Sequence, residues 1–341
     1  MSRSLTMEQA NPVLVEVLRG SHVESMHRGS YCISDMNGVI IGQAGDIATP
    51  VFPRSTVKLI QAIPLIETGA AQYFDFTSEE LALTCASHNG EATHSRLAHR
   101  ILDKIQLSES DLACGSHWPM SEKAGRTLAA LYEAPCQLHN NCSGKHAGFL
   151  AFLKYNKIDI KNYTSHEHPM QVEIRKTLEN VMQVDLIHAP MGIDGCAIPT
   201  WAISLHQLAH GFARLSAPTQ HFDKTRAKAI QTLTDAVFDN PYMIAGEDRY
   251  DTKVMQGFNR KIFVKIGAEG VFTAFLPEQK IGIAVKCDDG SFRGAENILT
   301  GLLIRYNLIG REAFVEAGLE DLLAPLVLNR NAETVGVIKP L

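Results

Sequence analysis

The hydrophobic rhythm changes along the chain, and the order of those changes limits what it can fold into. Residues 13–17 form a short apolar run, and residues 30–34 lead through Asn37-Gly38 into Val39-Ile40-Ile41. An Asn-Gly step between two such runs predicts a β-hairpin, because both residues tolerate positive φ. Further on, apolar residues recur every three to four positions in 97–105, 122–132, 147–155, 170–182, 205–215 and 226–238, the period of helices. Residues 262–266, 270–276 and 280–286 are again β-rich and are joined by short turns containing Gly or Pro, which predicts an antiparallel meander. A last helix is predicted over 295–308.

Strands, helices, strands and a helix in that order predict an α/β chain of the α+β kind. Its terminal strands share an antiparallel sheet with flanking helices, beside a helical lobe. The expected organisation is a single catalytic unit over 1–341. A sheet-containing lobe spans 12–90 and 260–341, and a mainly helical lobe spans 91–259, with the site in the crevice between them.

Composition narrows the function classes. Hydrophobic residues make up 45% of the 341 and charged residues 20%, which excludes a fibre or a disordered chain. The net charge of −5 has the wrong sign for a nucleic-acid binder. No window reaches the roughly 20 apolar residues of a membrane span. The opening residues 1–20 hold no signal-peptide core, and the seven cysteines are odd in number and irregular in spacing. Reduced thiols in a cytoplasm are therefore expected.

Pro53-Arg54-Ser55-Thr56-Val57-Lys58 opens an apolar stretch. If Pro53 starts a helix, Ser55 and Lys58 stand at i and i+3 on one face. A serine hydroxyl needs a base to become a nucleophile, and a buried lysine can be that base. Alone, S-x-x-K reads more readily as a helix cap followed by a solvated lysine. Ser87-His88-Asn89 adds S-x-N, and Lys265-Ile266-Gly267 adds K-x-G at the end of a predicted strand. The three in this order are the signature of serine acyl-transfer enzymes of the β-lactamase and penicillin-binding type. Ser87 follows Ser55 sooner than in a penicillin-binding enzyme, so the pattern points to a relative in chemistry.

Asn140-Asn141-Cys142-Ser143-Gly144-Lys145-His146 is the next dense cluster. A phosphate-binding loop needs Gly at 139 and Ser or Thr at 146, where this chain has histidines, so that reading fails. A Gly-containing turn before a helix remains open for it. Downstream, two glycines bracket Asp194 in Met191-Gly192-Ile193-Asp194-Gly195-Cys196, as in a tight turn presenting a carboxylate and a thiol. Cys142 and Cys196 can be metal ligands, but no paired spacing supports zinc. Among the fourteen histidines, His94/His99 and His166/His168 lack the spacing of a zinc-protease helix. Glu247-Asp248-Arg249-Tyr250 reads either as a cleft-facing loop or as a solvated turn.

Taken together, Arg54-Ser55-x-x-Lys58, Cys85-Ala86-Ser87-His88, Asn141 to His146, His168-Pro169-Met170-Gln171, Gly192 to Cys196, Ala245-Gly246 and Lys265-Ile266-Gly267-Ala268 resemble the rhizobial-type asparaginase family. The match runs in order from about residue 13 to 337. The resemblance implies a fold like that of serine β-lactamases and glutaminases, usually as a homodimer, and hydrolysis of L-asparagine to L-aspartate and ammonia. It implies two catalytic pairs, Ser55 with Lys58 and Ser87 with Lys265. It also implies one zinc ion held by Cys142, Lys145 and Cys196, and substrate contacts from Arg54, His88, Asn141 and Asp194. Rhizobial members can carry a cysteine where this chain has Asp251, an added negative charge that would weaken substrate binding. A glutaminase or broader amidase is the alternative enzyme. A non-catalytic amino-acid or β-lactam sensor is the alternative from another class.

Overall fold

The computed structural model describes residues 10–341. The reading of the first twenty residues therefore falls partly on Met1–Gln9, outside the described residues. Ten strands are described: β1 (Val13–Arg19), β2 (His22–Asp35), β3 (Ile40–Ala44), β4 (Met191–Ile193), β5 (Pro199–Trp201), β6 (Phe263–Gly267), β7 (Val271–Leu276), β8 (Ile281–Cys287), β9 (Leu326–Leu328) and β10 (Thr334–Pro340). The chain divides into two compact units. Among the described residues, one comprises 10–51, 203–216 and 257–341, and the other 52–202 and 217–256.

The first unit is built on an eight-stranded sheet in the order β6-β7-β8-β2-β1-β10-β9, with β3 paired to β2. Every pairing in it is antiparallel. The long strand β2 holds it together, pairing with β1 through its first half and with β3 and β8 through its second. The expected meander is β6-β7-β8. All residues of β6 and β7 are buried, so these strands show no alternation of polar and apolar positions. Gly282 lets the helix Leu205–Leu215 lie directly on β8, since a Cβ there would meet Ala209 O at 2.0 Å. The helix Phe292–Arg305 packs on β1, β7, β8 and β10.

The hairpin predicted at Asn37-Gly38 forms by a different turn. Gly38 has φ +86, whereas Asn37 is not in the left-handed region. Asp35 instead accepts the Asn37 and Val39 N–H groups through Oδ1 at 2.9 and 2.8 Å. A carboxylate at the start of the turn does the work expected of a second positive φ.

The second unit is mainly helical, with β4 and β5 as a separate hairpin. Its central element is the helix Lys58–Glu67, which is apolar on all sides and buried from Lys58 to Leu65. It packs against the helices Ser143–Tyr155, Pro169–Met182 and Lys224–Asp239. Small residues set the closest approach. A Cβ on Gly144 would meet Leu83 O at 2.4 Å, and one on Gly148 would meet Thr84 Cγ2 at 3.0 Å. These two glycines, one turn apart, bring the helix Ser143–Tyr155 against the end of the helix Ser78–Thr84. The chain leaving that second helix carries Ser87, and the first helix begins at Cys142. Packing of two backbones therefore sets two of the sequence motifs side by side.

Candidate active site

Ser55 lies in a single 3-10 turn, Arg54–Val57, that runs into the helix Lys58–Glu67. Arg54 has φ +52, a left-handed conformation that is strained for a residue with a side chain. Its Nε donates to Asp194 Oδ1 at 2.5 Å. Ser55 Oγ forms no hydrogen bond with any described residue. Lys58 is 1% exposed and its ammonium spends all its donors inside the protein. It donates to Ala86 O at 2.5 Å, Ser87 Oγ at 3.0 Å and Asn141 O at 3.4 Å. The first lysine is thus hydrogen-bonded to the second serine, and it shares a pocket with the first.

Ser87 and Asn89 are held by a short ladder, donating their backbone N–H groups to Ile244 O at 2.8 Å and Ala245 O at 2.7 Å. Asn89 Oδ1 accepts from Arg249 at 2.8 Å, which brings the polar loop after Gly246 to the S-x-N turn. His88 is fully buried. Its Nδ1 accepts the Gly90 N–H at 3.1 Å, so the proton sits on Nε2 and is donated to Ser143 Oγ at 2.9 Å. Burial first, then the neighbouring His94 and Lys58, hold its pKa well below the ordinary histidine value. Both ring nitrogens are therefore committed to tying the Ser87 turn to the next motif. Asn141 donates its N–H to His117 Nε2 at 3.0 Å, and its carbonyl accepts from Lys58 and from His88 N. Its side chain reaches Met120 Sδ at 3.6 Å.

Cys142, Cys196 and Asp194 present two sulfurs and a carboxylate oxygen within 4.8 Å of one another. Lys145 Nζ donates to Cys196 Sγ at 2.9 Å, and Cys196 Sγ donates to Asp194 Oδ2 at 3.1 Å. The turn carrying Asp194 is tight as expected, but its positive φ falls on Ala197 (φ +71) and not on the flanking glycines. The neighbouring Cys196 sulfur, then Lys145 and Lys58, outweigh burial and hold the Cys142 thiol's pKa well below the ordinary value. Cys196 is raised well above it by the neighbouring Cys142 and by burial. Burial opposes charge on Lys145, yet the Cys142 thiolate, Cys196 and Asp194 outweigh it and raise the lysine pKa. Asp194 is likewise lowered, its burial outweighed by Lys145 and Arg54.

Arg54, Ser55, Lys58, Gln61, Lys145 and Asp194 line one small pocket with residues 198–200. A larger open groove of about 610 Å³ lies between residues 66–81 and 224–232, but it holds no cysteine, histidine or serine–lysine pair. Size alone therefore does not mark the site. Lys265 stands on β6 in the sheet unit, fully buried, and donates to Ile266 O at 2.9 Å. Asp251 is fully buried in the helix Tyr250–Gly257.

Several participants were given no role of their own by the sequence motifs. Asn140 donates to Cys114 O at 2.9 Å and accepts the Cys142 N–H at 2.8 Å. Ser143 receives His88, and Gln61 lines the pocket. Asn140 and Ser143 stand within the 140–146 cluster, whereas Gln61 lies outside every motif and shows only as a lone polar residue three positions beyond Lys58 in an apolar run. The sheet unit holds a second group with metal-ligand chemistry, His27, Cys287 and Asp289. There Arg293 Nε donates to His27 Nε2 at 3.2 Å, so the other ring nitrogen donates to Asp289 at 2.6 Å. Cys287 Sγ completes the chain to Asp289 at 3.0 Å. That cluster is closed by its own hydrogen bonds.

A buried lysine on a serine hydroxyl, a second serine in the same small pocket and a guanidinium–carboxylate pair thus stand together in the mainly helical unit. The chain belongs to the L-asparaginase II family, which it matches over residues 15–340, and is accordingly an amidohydrolase. No curated protein sequence matches it. Among solved structures it is similar to a β-lactamase from Mycobacterium bovis, with 12% identity and a TM-score of 0.39, covering 82% of this chain and 94% of that one. A D-alanine carboxypeptidase from Burkholderia cenocepacia is similar at 12% identity and a TM-score of 0.38, covering 80% of this chain and 93% of that one. Among the described residues, no helix is long and apolar enough to cross a membrane. All seven cysteines are free thiols.

Proposed function

We propose that the protein hydrolyses L-asparagine to L-aspartate and ammonia through a covalent acyl-enzyme. Membership of the L-asparaginase II family supports the substrate. The observation that carries the mechanism is Lys58, buried, bonded to Ser87 Oγ and lining one pocket with Ser55. Ser55 Oγ attacks the side-chain carbonyl carbon of asparagine while its proton passes to Lys58, which enters the step as the neutral amine. The oxyanion then collapses, the C–N bond breaks, and the nitrogen takes a proton relayed through Ser87 to leave as ammonia. Water attacks the Ser55 ester, and its proton returns through the same groups as aspartate is released. Lys265, the second lysine that the family resemblance names, is read as a further proton donor. Arg54 and Asp194, charges of opposite sign, suit the substrate carboxylate and ammonium.

Zinc belongs to the same proposal. Two thiols and an amine converge with a carboxylate, all on buried or partly buried side chains, and the set suits a borderline-soft cation. Cys142, Lys145 and Cys196 would hold it, with Lys145 deprotonated so that its nitrogen can donate a lone pair. When bound, such an ion supplies positive charge beside the substrate. A homodimer is proposed with it, to be checked by light scattering.

The deciding experiment is steady-state ammonia release from asparagine and glutamine beside hydrolysis of a β-lactam, with Ser55→Ala as control. Turnover of asparagine that disappears in Ser55→Ala is expected. Near-wild-type release by that variant would remove Ser55 from the mechanism, and glutamine preferred over asparagine would make the protein a glutaminase. Tight binding of asparagine without turnover would turn the reading to a sensor.

A further inference from the structure

The helix Lys58–Glu67 buries one neutral polar side chain among apolar ones, Gln61. It stands three residues beyond Lys58 and six beyond Ser55, and it lines the small pocket with both. Gln61 and Lys145 also border a second small cavity whose other walls include Leu65, Phe149 and Phe152. Gln61 therefore forms the inner end of the pocket, whereas the side chains of Arg54 and Asp194 stay partly exposed.

Oε1 of Gln61 is buried without a hydrogen-bond partner, and no described residue bonds its amide nitrogen. Other buried carboxamides are anchored at one end, Gln171 on Tyr163 O at 2.8 Å and Asn297 on Arg293 O at 2.9 Å. Leaving a buried amide unpaired costs folding free energy. Leucine or methionine would fill this place in an apolar helix without that cost. The amide makes sense if a ligand completes it.

Charge complementarity says which part of the ligand. Asparagine has an ammonium, a carboxylate and one neutral group, its primary carboxamide. The pocket offers a carboxylate, the cations of Arg54, Lys58 and Lys145, and one neutral carboxamide. A substrate ammonium set against Gln61 would meet the two lysines, and a carboxylate there would leave Oε1 without a donor. Two carboxamides instead satisfy each other, N–H to C=O in both directions.

We infer that Gln61 recognises the primary amide of the substrate and sets the preference of this pocket for amide over acid. The inference rests on the asparaginase reading for its ligand. The product aspartate carries a carboxylate in place of the amide and brings no N–H for Oε1. It is held less firmly than the substrate it came from.

The test compares wild type with Gln61→Leu and Gln61→Met, the second keeping an unbranched side chain should the first pack badly. Three quantities are measured: KM and kcat for asparagine by ammonia release, Ki for aspartate as a competitive inhibitor, and melting temperature. The expected result is a rise of about tenfold in KM with aspartate Ki within about twofold, the size of one hydrogen bond lost to a neutral group. Melting temperature stays level or rises. Unchanged KM in both variants overturns the inference. So does an equal rise in KM and Ki, the mark of a merely deformed pocket. If the wild type releases no ammonia, the asparaginase reading fails separately. Calorimetric binding of asparagine and aspartate to the same proteins then decides for Gln61: amide-specific weakening upholds it and equal weakening, or none, overturns it. Glutamine turnover in place of asparagine leaves the amide role standing.

Discussion

Replacing Lys58 by methionine separates the chemistry of the site from the stability of its fold. Methionine keeps the volume of the lysine stem and removes the ammonium, whose three partners are Ala86 O, Ser87 Oγ and Asn141 O. Asn141 O keeps the His88 N–H at 3.3 Å, so one carbonyl, Ala86 O, loses its donor. An orphaned buried acceptor costs about 1–3 kcal/mol, and removal of a buried ammonium returns part of that. The net loss is about 1–2 kcal/mol, or about 1.5–3 °C in melting temperature for a chain of this size. The effect on catalysis is far larger. The variant lacks the group that accepts the Ser55 proton and also holds Ser87 in place, and general-base removal alone costs about 10²–10⁴ in rate. A fall of at least about 10³ in kcat/KM is expected, close to 4 kcal/mol at 1.4 kcal/mol per decade. The assay is steady-state ammonia release with a single-turnover measurement of acyl-enzyme formation. A variant that melts as expected yet keeps more than about a tenth of wild-type kcat/KM would refute the role given to Lys58.

Three further outcomes follow from other parts of the structure. Cys142→Ser should abolish the metal content, about one ion per chain by elemental analysis in the wild type; equal zinc in both proteins would remove this cysteine from the site. Glu80→Gln should cost about 2–4 kcal/mol, because the buried carboxylate is held by Arg100 and Lys104, each at 2.7 Å. Burial raises the Glu80 pKa, but Lys104, the Thr77 N–H and Arg100 outweigh it and hold the carboxyl below its ordinary value. Its stabilisation is therefore complete above the unfolded pKa of about 4.3 and fades as pH falls through the folded one. The melting-temperature gap between wild type and Glu80→Gln should close on acidification, and a gap that persists would contradict the assignment. Gly246→Ala should destabilise by more than about 2 kcal/mol and lower activity, since φ is +112 and a Cβ would lie 2.8 Å from Glu91 Oε1 and 3.0 Å from Asn89 Cβ. Wild-type turnover in that variant would show that the Asn89 turn tolerates displacement.

Local chemistry is legible from residue order alone. The apolar periods placed the helices over 122–132, 170–182 and 205–215 within a few residues of Glu122–Ala130, Pro169–Met182 and Leu205–Leu215. The meander was visible because β-rich runs and their turns are adjacent in sequence. The motifs around Ser55, Ser87, Cys142 and Asp194 were visible for the same reason, each being a short unbroken string. The partners of these motifs were not. That Lys58 bonds Ser87, that His88 spends both ring nitrogens on Gly90 and Ser143, and that Gln61 stays unpaired at the inner end of the pocket depend on backbones meeting across long separations. Gly144 and Gly148 permit one such meeting by bringing two helices closer than any side chain would allow. Even the Asn37-Gly38 turn was decided by the Asp35 carboxylate, which the dipeptide does not contain. Sequence alone determined which groups are available for acyl transfer and for a metal. Tertiary structure decided which of them are hydrogen-bonded to which, because contact distance is set by packing and not by spacing along the chain.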